Sequence, residues 1–399
     1  MGQLAHSIGD ILRIEAKRSG VGQNRDSVST ETNTAADATV YVVNDLNRFY
    51  SLKTEWNRLA ASSGNPLLQF EWYVSCAEAF FQQGSLYTVV VKRHDEVVAI
   101  APLREVRTGG MKKFEILGSA ILCEPCGILF KDMNALETLI SSLFDLKKPI
   151  STGRLVHSSP EFESFKSAAE KRFSLRAFHT THSPWLPITT SWDEYQKTIS
   201  SSKRSSLRRA LRRANEHGAV TMEVITPDPD NVQSILDVIY NVEHASWKAR
   251  AGTSIRSNPY VEKFFNRYAM KMAAAGSLRL SLLKINGSTI AGQIGVEFAR
   301  KFWVLKVGYD ERFSQCSPGI LLMHHTIQHA FENGLHAFEF LGRDEQWIRM
   351  WTEQVHQYTS YWHYPINTAG LMWLVKDGYT IVSTKINTML NGKNHDKKN

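Results

Sequence analysis

"YDERFSQCSPGILLMHHTIQHAFENG", Tyr309 to Gly334, decides the fold. It opens as the end of a strand, passes through a loop of small residues and continues as a helix closed by glycine. A helix N-terminus leaves about four backbone N–H groups without intrahelical partners and carries roughly half a positive charge. A loop in front of it that keeps side chains small therefore suits an anion. Ser314, Cys316, Ser317 and Gly319 are such residues, Ser317 is placed to cap the helix, and Pro318 fits its first turn. The plainer alternative is a capped helix packed on a sheet through Ile320, Leu321, Ile327 and Phe331. Upstream, Gly308 near the strand end permits a bulge or a close backbone approach.

Working outward, strands and helices alternate on both sides of this stretch. The first half reads as strand, two helices, three strands, a Cys-bearing loop, helix, strand, helix and strand, with His94 to Glu96 as a tight turn. After a linker with Pro184 and Pro187, the same order returns. It comprises a long basic helix over 192–217, strand, helices Val232 to Trp247 and Pro259 to Ala275, and a hairpin turning at "NG". Then follow a third strand, the opening loop and helix, strand "HAFEFLG", a helix from Glu345 to Gln354 and a last strand. One α/β fold used twice, a mixed sheet with helices on both faces, explains this recurrence. The expected boundaries are a tail over 1–39, domains over 40–185 and 186–380, and a polar tail over 381–399.

With 399 residues, 43% hydrophobic and 22% charged, the chain has the composition of a soluble globular protein with room for two cores. No run reaches the roughly 18 uncharged apolar residues of a membrane-spanning helix, and no secretory pattern opens the chain, so a cytoplasmic location is expected. Four scattered cysteines exclude a disulfide framework. "CEPC" has CxxC spacing without a second ligand pair, and His325 and His329 stand at i, i+4 without a third ligand, so no metal is expected. The net charge of +8 suits an anionic ligand. It is densest in "SSSKRSSLRRALRRANEHG", whose Leu207, Ala210, Leu211 and Ala214 form a docking stripe with arginines around it.

The element order, with "SWK", "IAGQIGVEF", "LKVGYDE", "SPGILL" and "FEFLGRDEQW" in sequence, resembles the GNAT acyltransferases. The likeness is to the tandem-GNAT group with a cellulose-biosynthesis (CelD-type) acetyltransferase domain, which is similar to Fem-type peptidyltransferases. The resemblance implies acyl transfer, with acetyl-CoA or another acyl-CoA as co-substrate and the opening loop as the cradle of its pyrophosphate. Gly308, Ser314, Cys316, Ser317, Gly319 and Ile320 are then the donor-binding candidates. Glu297 and Glu339 are candidate bases, and Tyr309 is a candidate proton donor or positioning group. Trp247 and Lys248 of "SWK", with Asp344 and Arg349, are candidates for the acceptor side. Trp347 and Ile348 stand where the family usually has a Tyr-Lys pair, a departure that bears on activity. The expected acceptor is an amine or hydroxyl, on an amino sugar or an envelope polysaccharide precursor. The alternatives are an aminoacyl-tRNA-dependent Fem-like transferase, with tRNA on the basic helix, or a non-catalytic coenzyme A or sugar binding module.

Overall fold

A computed structural model describes residues 38–81 and 85–379. The expected tails over 1–39 and 381–399 lie outside the described residues, apart from residues 38 and 39, which open the first strand. The protein is mixed α/β and divides into two compact units, residues 1–59, 83–181 and 358–399 in unit 1 and residues 60–82 and 182–357 in unit 2.

Unit 1 is built on β1 (Ala38–Val43), β2 (Ser85–Arg93), β3 (Glu96–Thr108), β4 (Met111–Ile116) and β6 (Ile150–Val156), side by side in that order. Short β5 (Leu129–Phe130) pairs with β3. His94 and Asp95 both have positive φ, the backbone a two-residue hairpin between twisted strands needs. The helices are α1 (Leu46–Ser51), α2 (Lys53–Ala60), α4 (Ser119–Leu122), α5 (Met133–Asp145) and α6 (Pro160–Lys171). Asp132 caps α5 through the Ala135 N–H, and Ser159 caps α6 through the Phe162 N–H.

Unit 2 repeats the plan with β8 (Val220–Ile225), β9 (Leu278–Ile285), β10 (Ser288–Phe298), β11 (Lys301–Tyr309) and β12 (Ala337–Glu339). Asn286 and Gly287, at φ 48 and 78, make the expected hairpin turn. In both units the fourth and fifth strands run parallel. Each fifth strand then takes an antiparallel sixth. The end of β7 (Leu175–Pro187) pairs with β12, and the later part of β13 (Val355–Tyr364) pairs with β6. Pro184 and Pro187 are thus strand residues and not a linker.

One face of the unit 2 sheet carries α9 (Val232–His244), which touches β10 and β11, with α11 (Pro259–Ala274) beside it. Helix α3 (Phe70–Phe80) lies on α11, where Trp72 meets Phe264 and Tyr268 edge-on at 4.9 and 5.1 Å. The other face carries α12 (Pro318–Glu332), α7 (Trp192–Thr198) and α8 (Ser201–Glu216). The expected basic helix over 192–217 is two helices, because Ile199 is extended and Ser200 starts a new one by capping the Lys203 N–H. The helix expected from Glu345 to Gln354 is only a single turn at Ile348–Met350, since Ile348 and Trp351 are buried in the core and Met350 packs against it. Residues 368–379 form a helix that the sequence reading did not anticipate.

Candidate functional site

Strand β11 outruns its neighbour. It pairs with β10 as far as Tyr309, opposite Ala291, but with β12 only over Lys301–Trp303. Leu341 and Gly342, both at positive φ, then turn the chain away from β12. The Asp310 N–H donates to Ile290 C=O at 2.8 Å. Antiparallel pairing alternates, so Gly308 also turns its amide and carbonyl to β10, while Val307 and Tyr309 turn theirs outward, into the fork beside β12.

That free edge is partly held by a lysine. Lys248 lies on α10 (Trp247–Arg250), and its Nζ donates to Val307 C=O at 2.6 Å and to Glu243 Oε1 at 3.3 Å. Glu243, 1% exposed, also accepts the Ile255 N–H through Oε2 at 2.8 Å. Burial pushes the Lys248 ammonium below the usual lysine range against the pull of Glu243, and Lys306 adds to the lowering. Sequence reasoning missed Glu243 because its partners come from other elements. Trp247, at 40% exposure, stands in solvent beside it.

Gly308 makes room for this arrangement. A Cβ there would meet the Glu243 Cγ at 2.5 Å and Cα at 2.8 Å, and one on its cross-strand partner Gly292 would meet Ile239 at 2.9 Å. The close approach that Gly308 permits is therefore that of α9, whose Ile239 and Glu243, one turn apart, sit over the glycine pair.

At the far end of β11, Asp310 starts a 3-10 turn over Glu311–Cys316 by accepting the Arg312 N–H. Ser317 follows at φ 48 and makes no side-chain cap, contrary to expectation. The Ile320 and Leu321 N–H groups both donate to Ser317 C=O, and Pro318 has no N–H. The first-turn amide left over is that of Gly319, under the Tyr309 ring, whose Cδ1 lies 3.4 Å from where a Cβ would be. Ser314 C=O is taken by the Ser317 N–H, and Cys316 is fully buried, where burial raises its thiol pKa.

A cavity of about 260 Å³ adjoins this turn, lined by Lys203, Ser206 and Leu207 of α8 together with Ser317, Ile320 and Met350. Lys203 donates to Arg349 C=O at 2.9 Å, and Arg213 to Gln315 C=O at 3.2 Å. Lys203 thus lines the cavity beside Ser317, and Arg213 holds the loop at Gln315. A larger hollow, about 580 Å³, runs along α11 past Glu262, Asn266 and Arg267 and includes nothing from β11, β12 or α12.

The two carboxylates face opposite ways. Glu297, on the α12 side of β10, is bonded to Arg279 Nη2 and His329 Nε2, both at 2.7 Å. Burial pushes its carboxyl up, but these two partners outweigh it and hold the pKa below the usual value. Glu339 sits at the fork on the other face, 2% exposed, with Lys301 Nζ at 3.2 Å and His356 Nε2 at 3.1 Å. His356 stacks on Trp185, the cross-strand partner of Glu339, at 4.8 Å. It was not among the sequence candidates, since only the pairing of β7 with β12 brings Trp185 and Glu339 together. Asp344 and Arg349 form an ion pair at 2.8 Å. Ile348 is buried among Val304, Met323 and Phe340, and the Trp347 indole N–H is held by Glu345 at 2.6 Å.

The equivalent fork of unit 1 is filled by its own chain. Pro125 bridges Arg154, the Cys126 thiol donates to Thr152 C=O at 2.9 Å, and a Cβ on Gly153 would strike Ser119 at 2.6 Å.

Residues 201–349, which include α8 and the whole fork, match the family described as the acetyltransferase (GNAT) domain. The chain carries a GNAT-type acetyltransferase domain. Its solved neighbours are distant. The crystal structure of FemX is similar over 77% of this chain and 95% of its own, at 14% identity and a TM-score of 0.52. The C-terminal DUF2156 domain of an Agrobacterium fabrum protein aligns over 84% and 97%, at 11% identity and a TM-score of 0.49. A tandem GNAT protein from the clavulanic acid biosynthesis pathway aligns over 82% and 98%, at 13% identity and a TM-score of 0.46. The likeness to FemX is one of fold. A comparison with curated proteins finds no match. Among the described residues no helix is long and apolar enough to cross a membrane.

Proposed function

We propose that the GNAT domain transfers an acyl group, acetyl in the simplest case, from coenzyme A to an amine or hydroxyl acceptor. The observation that carries this reading is the overrun of β11: its edge at Val307 and Tyr309 is turned to a fork that β12 does not fill. An extended amide-bearing arm binds such an edge as a strand would. At its foot Lys203 lines the 260 Å³ cavity together with Ser317 and Ile320 at the start of α12, a cation beside a helix N-terminus, which suits a diphosphate. At its head, about 20 Å up the strand from Tyr309, Glu339 with its partner His356 suits the role of receiving the acceptor's proton. Glu297, behind Phe302 and held by Arg279, is placed to support the sheet. The exposed Trp247 and the Asp344–Arg349 pair suit a polar acceptor such as an amino sugar or another envelope polysaccharide precursor.

Calorimetric titration with acetyl-CoA tests the donor site. Wild-type protein is expected to bind, and Gly319→Trp, whose indole must enter the space under Tyr309, to bind at least tenfold more weakly. Equal affinities would remove the cradle. Release of free thiol with amino-sugar acceptors tests transfer, and Glu339→Gln is expected to lower turnover by about 100-fold with donor affinity unchanged. Donor binding without thiol release from the wild type would instead favour a non-catalytic module. The second transferase reading, with aminoacyl-tRNA as donor, draws on exposed Arg208, Arg209 and Arg212 of α8. It requires salt-sensitive tRNA binding that their replacement abolishes.

A further inference from the structure

Helix α8 carries more positive charge than its own fold uses. Between Ser201 and Asn215 it holds Lys203, Arg204, Arg208, Arg209, Arg212 and Arg213, and no acid. Arg204 donates to the carbonyls of Gln196, Lys197 and Ile199, where α7 ends, and Arg212 stands 3.6 Å from Glu216. Like charges one turn apart, Arg208 with Arg212 and Arg209 with Arg213, repel, and a bound anion relieves that repulsion.

The two arginine pairs face different ways. Successive helix residues are turned about 100° from one another, so Ser202, Ser206, Arg209 and Arg213, spaced by four, three and four, lie along one edge of α8. Ser202 and Ser206 line the 260 Å³ cavity beside Ser317 and Ile320. Arg209 and Arg213 continue that edge towards the turn over Glu311–Cys316: Arg209 Nη2 donates to Ser206 Oγ at 3.0 Å, and Arg213 Nη1 to Gln315 C=O at 3.2 Å. Both are exposed, and each bond engages one nitrogen of a guanidinium whose fork of N–H groups matches a phosphate. Arg208 and Arg212 lie about 100° further round, on the side away from Lys203, Ser206 and Ala210. One ribose away from its diphosphate, coenzyme A carries a 3′-phosphate monoester that is close to doubly charged at neutral pH.

We propose that this 3′-phosphate seats between Arg209 and Arg213, with the Ser206 hydroxyl beside it, when the diphosphate occupies the cavity at the start of α12. The seat rests on the donor reading above and names a further part of the same site. It makes α8 the element that separates coenzyme A from pantetheine donors lacking the nucleotide's phosphate monoester.

The test is calorimetric titration of the full chain with coenzyme A and with 3′-dephospho-coenzyme A. Wild-type protein is expected to bind coenzyme A about tenfold or more tightly than the dephospho form, and Arg209→Gln/Arg213→Gln to bring that ratio to about threefold or less. A loosening of the loop at Gln315 weakens both ligands alike and leaves the ratio unchanged, so a merely structural role does not imitate the result. Arg208→Gln/Arg212→Gln removes the same charge from the other edge and should keep the wild-type ratio. Equal wild-type affinities for the two ligands, a wild-type ratio in Arg209→Gln/Arg213→Gln, or an equal fall in Arg208→Gln/Arg212→Gln overturns the proposal and leaves the donor site standing. Binding of neither ligand by the wild type removes the donor site itself, and this seat with it.

Discussion

Gly308→Val is expected to destabilise unit 2 by about 3 kcal/mol or more, the upper range for overpacking a closed site. The added Cβ would stand 2.5 Å from the Glu243 Cγ, 2.7 Å from its Cβ and 2.8 Å from its Cα. The last of these is backbone, so no side-chain rotation relieves the clash and α9 must lift from the sheet. Lifting it also pulls Glu243 from Lys248 and Lys248 from Val307, so donor affinity should fall together with stability. Gly319→Ala is the matched control, because its Cβ would meet only the Tyr309 ring edge at 3.4 Å. Urea unfolding followed by tryptophan fluorescence reads both. A midpoint for Gly308→Val equal to that of the control would show that α9 does not rest on this glycine.

Glu243→Met is expected to be nearly as severe, by about 3–5 kcal/mol, the range for removing one partner of a buried ion pair. The carboxylate is 1% exposed and serves both the Lys248 ammonium and the Ile255 N–H. Without it, the Ile255 N–H loses its acceptor and the Lys248 ammonium keeps only the Val307 carbonyl, with no counter-charge in this buried site. The lysine's pKa, already lowered by burial, should fall further, so the variant should regain stability as the pH rises and Lys248 sheds its proton. The sign follows from the lysine: a folded-state pKa depressed below the unfolded one penalises folding at low pH, and the penalty lifts above the unfolded value. Glu243→Met/Lys248→Met should recover most of the loss at neutral pH, since an apolar pair of similar volume replaces the ions. Equal destabilisation of the single and double variants would place the effect in packing and not in the stranded charge.

Much of the fold is legible in the sequence because its signals are local. Alternation along "LRLSLLKI" and "KFWVLKVGY" sets their strands, "NG" sets the hairpin between β9 and β10, and small residues followed by proline mark where α12 begins. Local signals also mislead where a tertiary partner intervenes. Pro184 and Pro187 suggest a linker, yet they lie in a strand that pairs with β12, whose Ala337 faces Pro187. Ser317 looks like a cap, yet its left-handed backbone leaves its side chain without that bond.

The amino-acid sequence by itself determined the kind of elements, their order and its repetition, and the small-residue loop ahead of α12, because each depends on residues a few positions apart. Only the tertiary structure decided that β12 stops short of β11, that Glu243 and Lys248 meet at Val307, that His356 bonds Glu339, and that unit 1 fills its own fork. Those features depend on which distant segments share one small volume, and the spacing of residues along a chain carries no measure of the space around them.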